Sequence, residues 1–301
     1  MRLPHVLGNE GLKQSLSHLP AGGLGSAILL DGPSGSGKRT AARDLSQALL
    51  CSAKDAPCGT CPACRRIAAG SHPDLLWLEE QEPGKGYKLE QIRALRAQSF
   101  LRPSEAPYKI FIIPQADRLN LPSQNALLKV LEEPASSLFI LLCENREAML
   151  QTVRSRCKTF RMAPLSTSQL LSALKERCPE VSDAQRKDAA MHSAGLLGRA
   201  LDTLSGKESP ALAAAQDFCN ALSGDELRIF TACQGLLKLS RSEYAAFCDE
   251  SCRLLLEMTK QRPDSRSILI FDYLEQQRDM LVQNPSVTAL SGALAAFCSN
   301  R

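Results

Sequence analysis

GPSGSGKRT, residues 32–40, decides how the first half of the chain is read. It matches the phosphate-binding pattern G-x-x-x-x-G-K-[ST] through Gly32, Gly37 and Lys38, then departs at the last letter. Arg39 stands where a Ser or Thr hydroxyl would meet Mg²⁺, and Thr40 follows one residue late for that geometry. The glycines let backbone N–H groups face a phosphate at the start of the next helix, and Lys38 adds a point charge. Gly32, Gly35, Gly37 and Lys38 are therefore the expected phosphate cradle. Competence for Mg²⁺-dependent hydrolysis does not follow from them.

Outward from the loop, short apolar runs alternate with helical patterns. SAILLDG (26–32), PDLLWLE (73–79), YKIFIIPQ (108–115) and SSLFILLCEN (136–145) are bounded by turn residues, as buried parallel strands are. RCKTFRM (156–162) is a fifth, shorter strand before Pro164. Helices are expected over 38–50, 88–101 and 121–133. Strand–helix alternation with a P-loop after the first strand predicts an α/β nucleotide-binding domain built on a parallel sheet. After Pro164 the pattern turns helical: 166–178, 182–195 and 196–204 carry Ser or Asp at N-cap positions, and everything beyond about 208 is helical in spacing. SGKESP (205–210) is the expected boundary between two helical parts.

Composition sets bounds on function. A chain of 301 residues suits two domains or three small ones, and 44% apolar residues is ordinary for a protein with a core. A net charge of +4 is too mild to argue nucleic-acid binding by itself. No run of eighteen apolar residues appears and the first residues lack a signal-peptide core, so a cytoplasmic protein with reduced thiols is expected.

Cys51, Cys58, Cys61 and Cys64 follow the spacing C-x6-C-x2-C-x2-C. Four thiolates this close suit a tetrahedral structural Zn²⁺ site, and none of the eight other cysteines shows such spacing. In KIFIIPQADRL the third strand delivers Pro114 and Gln115, where a P-loop ATPase ends on carboxylates for Mg²⁺ and water. Asp117 reads as a turn or helix-capping residue. In SQNALLKVLEEP, Ala126, Leu127, Val130 and Leu131 face the core, while Lys129, Glu132 and Glu133 read as a solvated face. Arg156 in RSRC (154–157) reads as solvated, or else as an arginine fixed at an element boundary to reach a phosphate on a neighbour.

GPSGSGK, the four-cysteine insertion, HPDLLWLE, YKIFIIPQADRL, NALLKVLEEP and RSRC, in this order, resemble the AAA+ clamp-loader subunits of bacterial DNA polymerase III. The likeness spans about residues 4–162 and continues more weakly through GLLGRAL (195–201). It implies an AAA+ P-loop domain over 1–163 with its zinc module at 51–64, a small helical lid domain over 164–207, and an all-α collar or oligomerisation domain over 208–301. It implies gamma/tau and delta subunits as partners in a heteropentamer, with the sliding clamp and primer-template DNA reached through the complex. The family holds motor subunits with an intact P-loop and an Asp-Glu pair, and a non-motor kind that keeps Ser-Arg-Cys and loses hydrolytic residues. Arg39, Pro114, Gln115 and Cys143 depart from the motor pattern, so the non-motor kind is implied. Arg156 then becomes an arginine finger supplied in trans, and Arg199 resembles the second sensor arginine. The loop keeps the residues to hold ATP or ADP, while hydrolysis is not expected. Two rival readings remain open: a gamma-like motor with Thr40 recruited to Mg²⁺, and, less favoured, a P-loop kinase for a small molecule.

Overall fold

The computed structural model describes residues 2–17, 26–80, 86–133, 136–206, 210–239, 241–261, 264–281 and 285–299. Of the boundary segment 205–210, residues 207–209 lie outside this set. The chain divides into two compact units, Met1–Ser205 and Gly206–Arg301.

The first unit is built on five parallel strands: β1 (Ala27–Asp31), β2 (Leu75–Trp77), β3 (Lys109–Ile113), β4 (Ser137–Cys143) and β5 (Lys158–Arg161). Their order is β2-β3-β4-β1-β5, so β1 pairs with β4 on one side and β5 on the other. Each strand lies inside the run expected for it. β1, β3 and β4 are buried along their whole length, which is why they read as continuous apolar runs.

Alternation on the pleat sorts their side chains into two cores. Ile28, Leu30, Ile110, Ile112, Ile140 and Leu142 pack with Ala41, Ala42 and Leu45 of α2 (Lys38–Leu50), and α1 (Glu10–Ser17) adds Leu12 and Leu16. Leu29, Phe111, Ile113, Phe139 and Leu141 face the opposite way. There they meet Ile92 and Leu95 of α4 (Leu89–Ser99) and Leu127, Val130 and Leu131 of α5 (Leu121–Glu132). The Phe111 and Phe139 rings stack at 5.3 Å between centroids. Two short helices serve opposite faces: α3 (Pro62–Ala68), within the cysteine segment, adds Ile67 to the first core, and α6 (Gln151–Arg154), before β5, adds Val153 to the second.

Beyond β5, α7 (Thr167–Arg177), α8 (Asp183–His192) and α9 (Leu197–Leu204) enclose a small core of Leu170, Leu174, Ala189, Ala190 and Ala200. Ser166 and Ser182 start α7 and α8 as expected, each in a reciprocal capping box, with Gln169 and Gln185.

The second unit holds α10 (Pro210–Ala221), α11 (Glu226–Gly235), α12 (Arg241–Gln261), α13 (Ser265–Met280) and α14 (Val287–Ser299). Phe218, Tyr244 and Phe247 fill its centre. The buried Tyr244 hydroxyl donates to Gln277 Oε1 at 2.6 Å, and Gln277 Nε2 donates to Leu290 O at 2.9 Å, tying α12, α13 and α14. Among the described residues no helix is long and apolar enough to cross a membrane.

Candidate functional site

β1 ends at Asp31, and Gly32 N donates to Cys143 O at 3.2 Å, so the loop leaves the sheet beside the end of β4. Gly37 caps α2 at φ 91°, a left-handed conformation that only glycine adopts without strain. Gly35 touches the first turn of α9: Gly198 N donates to Gly35 O at 3.1 Å, and a Cβ on Gly198 would lie 2.8 Å from Gly35 Cα. Lys38 Nζ turns back on the loop, donating to Gly32 O at 2.5 Å and Pro33 O at 2.8 Å. Burial holds its pKa below the ordinary lysine value, against the pull of Glu144, Asp117 and Asp31. The Ser36 hydroxyl is buried here without a hydrogen-bond partner.

A cavity of about 310 Å³ opens at this loop. Gly35, Gly37 and Lys38 line it with Arg39, Thr40, Pro114, Gln115 and Glu144. His5 and Val6 contribute from the N-terminal segment, and Arg177 and Gly198 from α7 and α9. Arg199 follows Gly198 in α9 and is half-buried. Arg177 was not singled out from sequence; at the end of an amphipathic helix it carries no local signal. The exposed Arg39 guanidinium lies 5.8 Å from the centroid of the Trp77 ring on β2, a cation–π contact. The loop and cavity suit the phosphates of ATP or ADP: Gly35 and Gly37 would bring backbone N–H groups, Lys38 and Arg177 charge, and Ser36 an unspent hydroxyl.

The end of β3 differs from a metal-binding edge. Pro114 O accepts from the Tyr87 hydroxyl, and Gln115 sits at φ 46° in the left-handed region. Asp117, within a 3₁₀ segment (Ala116–Arg118), also serves a turn beyond it. Its Oδ2 accepts from Glu144 N at 3.2 Å and Asn145 N at 3.0 Å, binding the exits of β3 and β4 together. Burial pushes its carboxyl above the usual range, partly offset by those N–H groups. Cys143 Sγ donates to Asp31 Oδ1 at 3.7 Å, and burial raises this thiol strongly.

The structure brings Cys51, Cys58, Cys61 and Cys64 together, with all four sulfurs within 4.8 Å of one another. Cys51 follows α2 directly, Cys61 caps α3, and Gln47 Nε2 donates to Cys64 O at 3.2 Å. Ala53 N donates to Cys51 Sγ, Cys61 N to Cys58 Sγ, and Cys64 N to Cys61 Sγ, at 3.3–3.5 Å. The Thr60 and Cys61 N–H groups lower the Cys58 thiol to about 6, while burial raises Cys64 to about 12. Tetrahedral Zn–S bonds of about 2.3 Å place sulfurs about 3.8 Å apart. The Cys51–Cys61 separation is already 3.9 Å, so the donor set fits a zinc-like ion with little movement.

Arg156 lies just past α6. Val153 anchors this segment in the core, and Gln124 of α5 fixes its approach. The buried Gln124 amide donates to Leu119 O and Ala148 O and accepts from Leu150 N at 2.7 Å. The Arg156 guanidinium donates to Thr152 O at 3.0 Å and Glu132 Oε1 at 2.6 Å. Glu132 belongs to the face of α5 read from sequence as merely solvated. It is exposed, yet it is also the arginine's partner.

Residues 9–166 match the family described as DNA polymerase III, delta subunit. The chain belongs to the clamp-loader subunits of DNA polymerase III. Its relatives include the delta' subunit of Bacillus subtilis, 34% identical over 65% of this chain and 54% of that protein. The tau subunit of the same organism is 30% identical over 97% of this chain and 52% of that protein. The chain thus spans about half the length of these relatives. A solved gamma-subunit-related protein of Thermotoga maritima aligns at 18% identity and a TM-score of 0.48, over 97% of this chain and 98% of that one. Delta' and tau subunits are both among the proteins this chain resembles. The parallel α/β sheet with its P-loop is the AAA+-like architecture expected of the family.

Proposed function

We propose that this chain is a delta prime subunit of the DNA polymerase III clamp loader, which assists ATP-dependent loading of the sliding clamp onto primed DNA during replication. It does not hydrolyse ATP itself and supplies Arg156 as an arginine finger to a neighbouring subunit. The observation that carries this reading is Arg39. It occupies the position of the Mg²⁺-binding hydroxyl and its guanidinium lies on Trp77 instead. Pro114 and Gln115 at the end of β3 support it, since neither offers a carboxylate to metal or water. The loop then serves as a phosphate cradle for ATP or ADP, through Gly32, Gly35, Gly37 and Lys38 with Arg199 nearby on α9.

In this reading residues 1–163 form the AAA+ domain with the zinc module at 51–64, 164–207 the lid, and 208–301 the collar through which the chain assembles. Its partners are gamma/tau and delta in a cytoplasmic heteropentamer, with clamp and primer-template DNA engaged through the complex. Cys51, Cys58, Cys61 and Cys64 would hold a structural Zn²⁺ that closes the segment after α2, and four protein ligands would leave no position for chemistry. An arginine at Arg156 neutralises charge developing on a transferred phosphoryl group, an effect worth about 10³- to 10⁵-fold at the site it serves.

A second reading, a gamma-like motor, draws on Thr40, which lines the same cavity, and on the tau relative that aligns over nearly the whole chain. Hydrolysis separates them. The purified chain with Mg²⁺, primed DNA and clamp is expected to show no turnover. Arg156→Ala is expected to leave assembly intact and to abolish the share of hydrolysis at the adjacent site. Turnover by the chain alone would establish the motor reading, and unchanged hydrolysis with Arg156→Ala would remove the finger.

A further inference from the structure

Glu132 is the last residue of α5, where the helix dipole presents its negative end and an acidic side chain is disfavoured. The Arg156 guanidinium sits against this end, between Glu132 Oε1 and Thr152 O. Glu132 and Arg156 are 24 residues apart in sequence, on separate elements. Their side chains remain 47% and 38% exposed, so the pair is solvent-screened and too weak to lock the arginine away. Each contact engages one N–H of a terminal nitrogen, and each terminal nitrogen carries a second. The guanidinium can thus keep both anchors and still donate to an anion.

We infer that Glu132 is a positioning residue for Arg156: with Thr152 O it preselects the rotamer in which the guanidinium is presented, lowering the ordering cost that a free arginine would meet at the transition state. An arginine side chain is rich in rotamers, and holding it in advance removes part of that entropy loss from the reaction. Thr152 O alone fixes one nitrogen and leaves the plane of the guanidinium free to turn; Glu132 fixes the second.

This inference rests on the arginine-finger reading, and the test keeps the two apart. Single-turnover ATP hydrolysis is measured in the reconstituted clamp-loader complex with the wild-type chain, Arg156→Ala, Glu132→Ala, Glu132→Gln and the double variant. The phase that Arg156→Ala removes is the one to follow. Glu132→Ala is expected to slow it roughly two- to fivefold, the range of an exposed ion pair. The other phases and the dependence on ATP concentration should be unchanged. Glu132→Gln, which keeps a hydrogen bond without the charge, should recover part of the rate. In the Arg156→Ala background, Glu132→Ala should change nothing further. An unchanged or faster phase with Glu132→Ala overturns the positioning role, and so does an equal slowing of every phase, which would mark a merely structural residue. If Arg156→Ala removes no phase, the finger reading itself falls and this inference with it.

Discussion

Replacing Gly198 by Ala tests whether the phosphate-type loop and α9 are packed as one joint. Gly198 is the second residue of α9, and its N–H donates to Gly35 O at 3.1 Å. A Cβ there would stand 2.8 Å from Gly35 Cα, 3.4 Å from its O and 3.6 Å from its C. Carbon atoms in contact settle at about 3.5–4.0 Å, so backbone must move by several tenths of an ångström. No flexible side chain can yield in its place. Helix propensity argues the other way, since Ala is favoured over Gly by about 1 kcal/mol in a helix interior and by less in a first turn. Overpacking against backbone costs about 1–3 kcal/mol, and the strained hydrogen bond adds up to about 1 kcal/mol. The clash wins, with a net loss of about 2 kcal/mol. In a unit of this size 1 kcal/mol is worth about 2–4 °C, so melting of the first unit should fall by roughly 4–8 °C. Calorimetry reads the shift, and hydrogen exchange at the Gly198 and Ala200 amides assigns it to this joint. A variant melting at or above the wild-type temperature would refute the close approach.

Two further outcomes follow from buried donors and acceptors elsewhere. Asp74 is fully buried and accepts backbone N–H groups from Ser104, Glu105 and Ala106 at 2.7–3.0 Å. Burial alone would raise its pKa, but those donors and His72 outweigh it and the net shift is downward. A depressed carboxylate contributes stability above its unfolded value of about 3.9 and loses it as pH falls through the lower folded value. Asp74→Asn should therefore cost about 3 kcal/mol in urea denaturation at pH 7. The gap to wild type should narrow only below about pH 4, and a gap independent of pH would contradict the charge-based account. For the four-thiol cluster, elemental analysis should find about one zinc per chain, lost in Cys58→Ser/Cys61→Ser together with a lower melting temperature. A metal-free chain of undiminished stability would rule the site out.

The five strands were legible because each is a short apolar run closed by turn residues, and α2 begins and ends where its amphipathic pattern does. α1, α3 and α6 were missed: α3 and α6, at 7 and 4 residues, are too short to show a helical period, α3 starts at Pro62 inside the cysteine motif, and α1 offers only Leu12 and Leu16 to the core. The strand order was not legible either, since alternation argues for a parallel sheet without placing β4 between β1 and β3. The cysteine spacing did announce its cluster, because four ligands within fourteen residues need almost no tertiary information. Arg39 with Trp77, Arg177 at the cavity and Glu132 with Arg156 need the whole fold. One signal lay in plain view: an acidic residue at the negative end of α5 asks for a cation, and sequence alone could not say which.

Lys38 shows how the loop is held together whether or not it serves hydrolysis. Its ammonium is bonded to the carbonyls of Gly32 and Pro33, so in this conformation the lysine holds the loop shut on itself. Gly35 is bonded to α9 and the Arg39 guanidinium lies on Trp77, so loop residues on both sides of Lys38 also have packing partners. Such a loop earns its sequence through packing whether or not phosphate enters. Burial meanwhile depresses Lys38 despite the pull of Glu144, Asp117 and Asp31, and a phosphate would give it a direct charged partner in place of two neutral carbonyls. Binding would therefore trade the Lys38–carbonyl bonds for a charged one without needing Mg²⁺. The affinity of the isolated chain for ATP should be about the same with and without the metal, whereas a motor-type site holding Mg²⁺ through Thr40 would lose affinity when it is chelated.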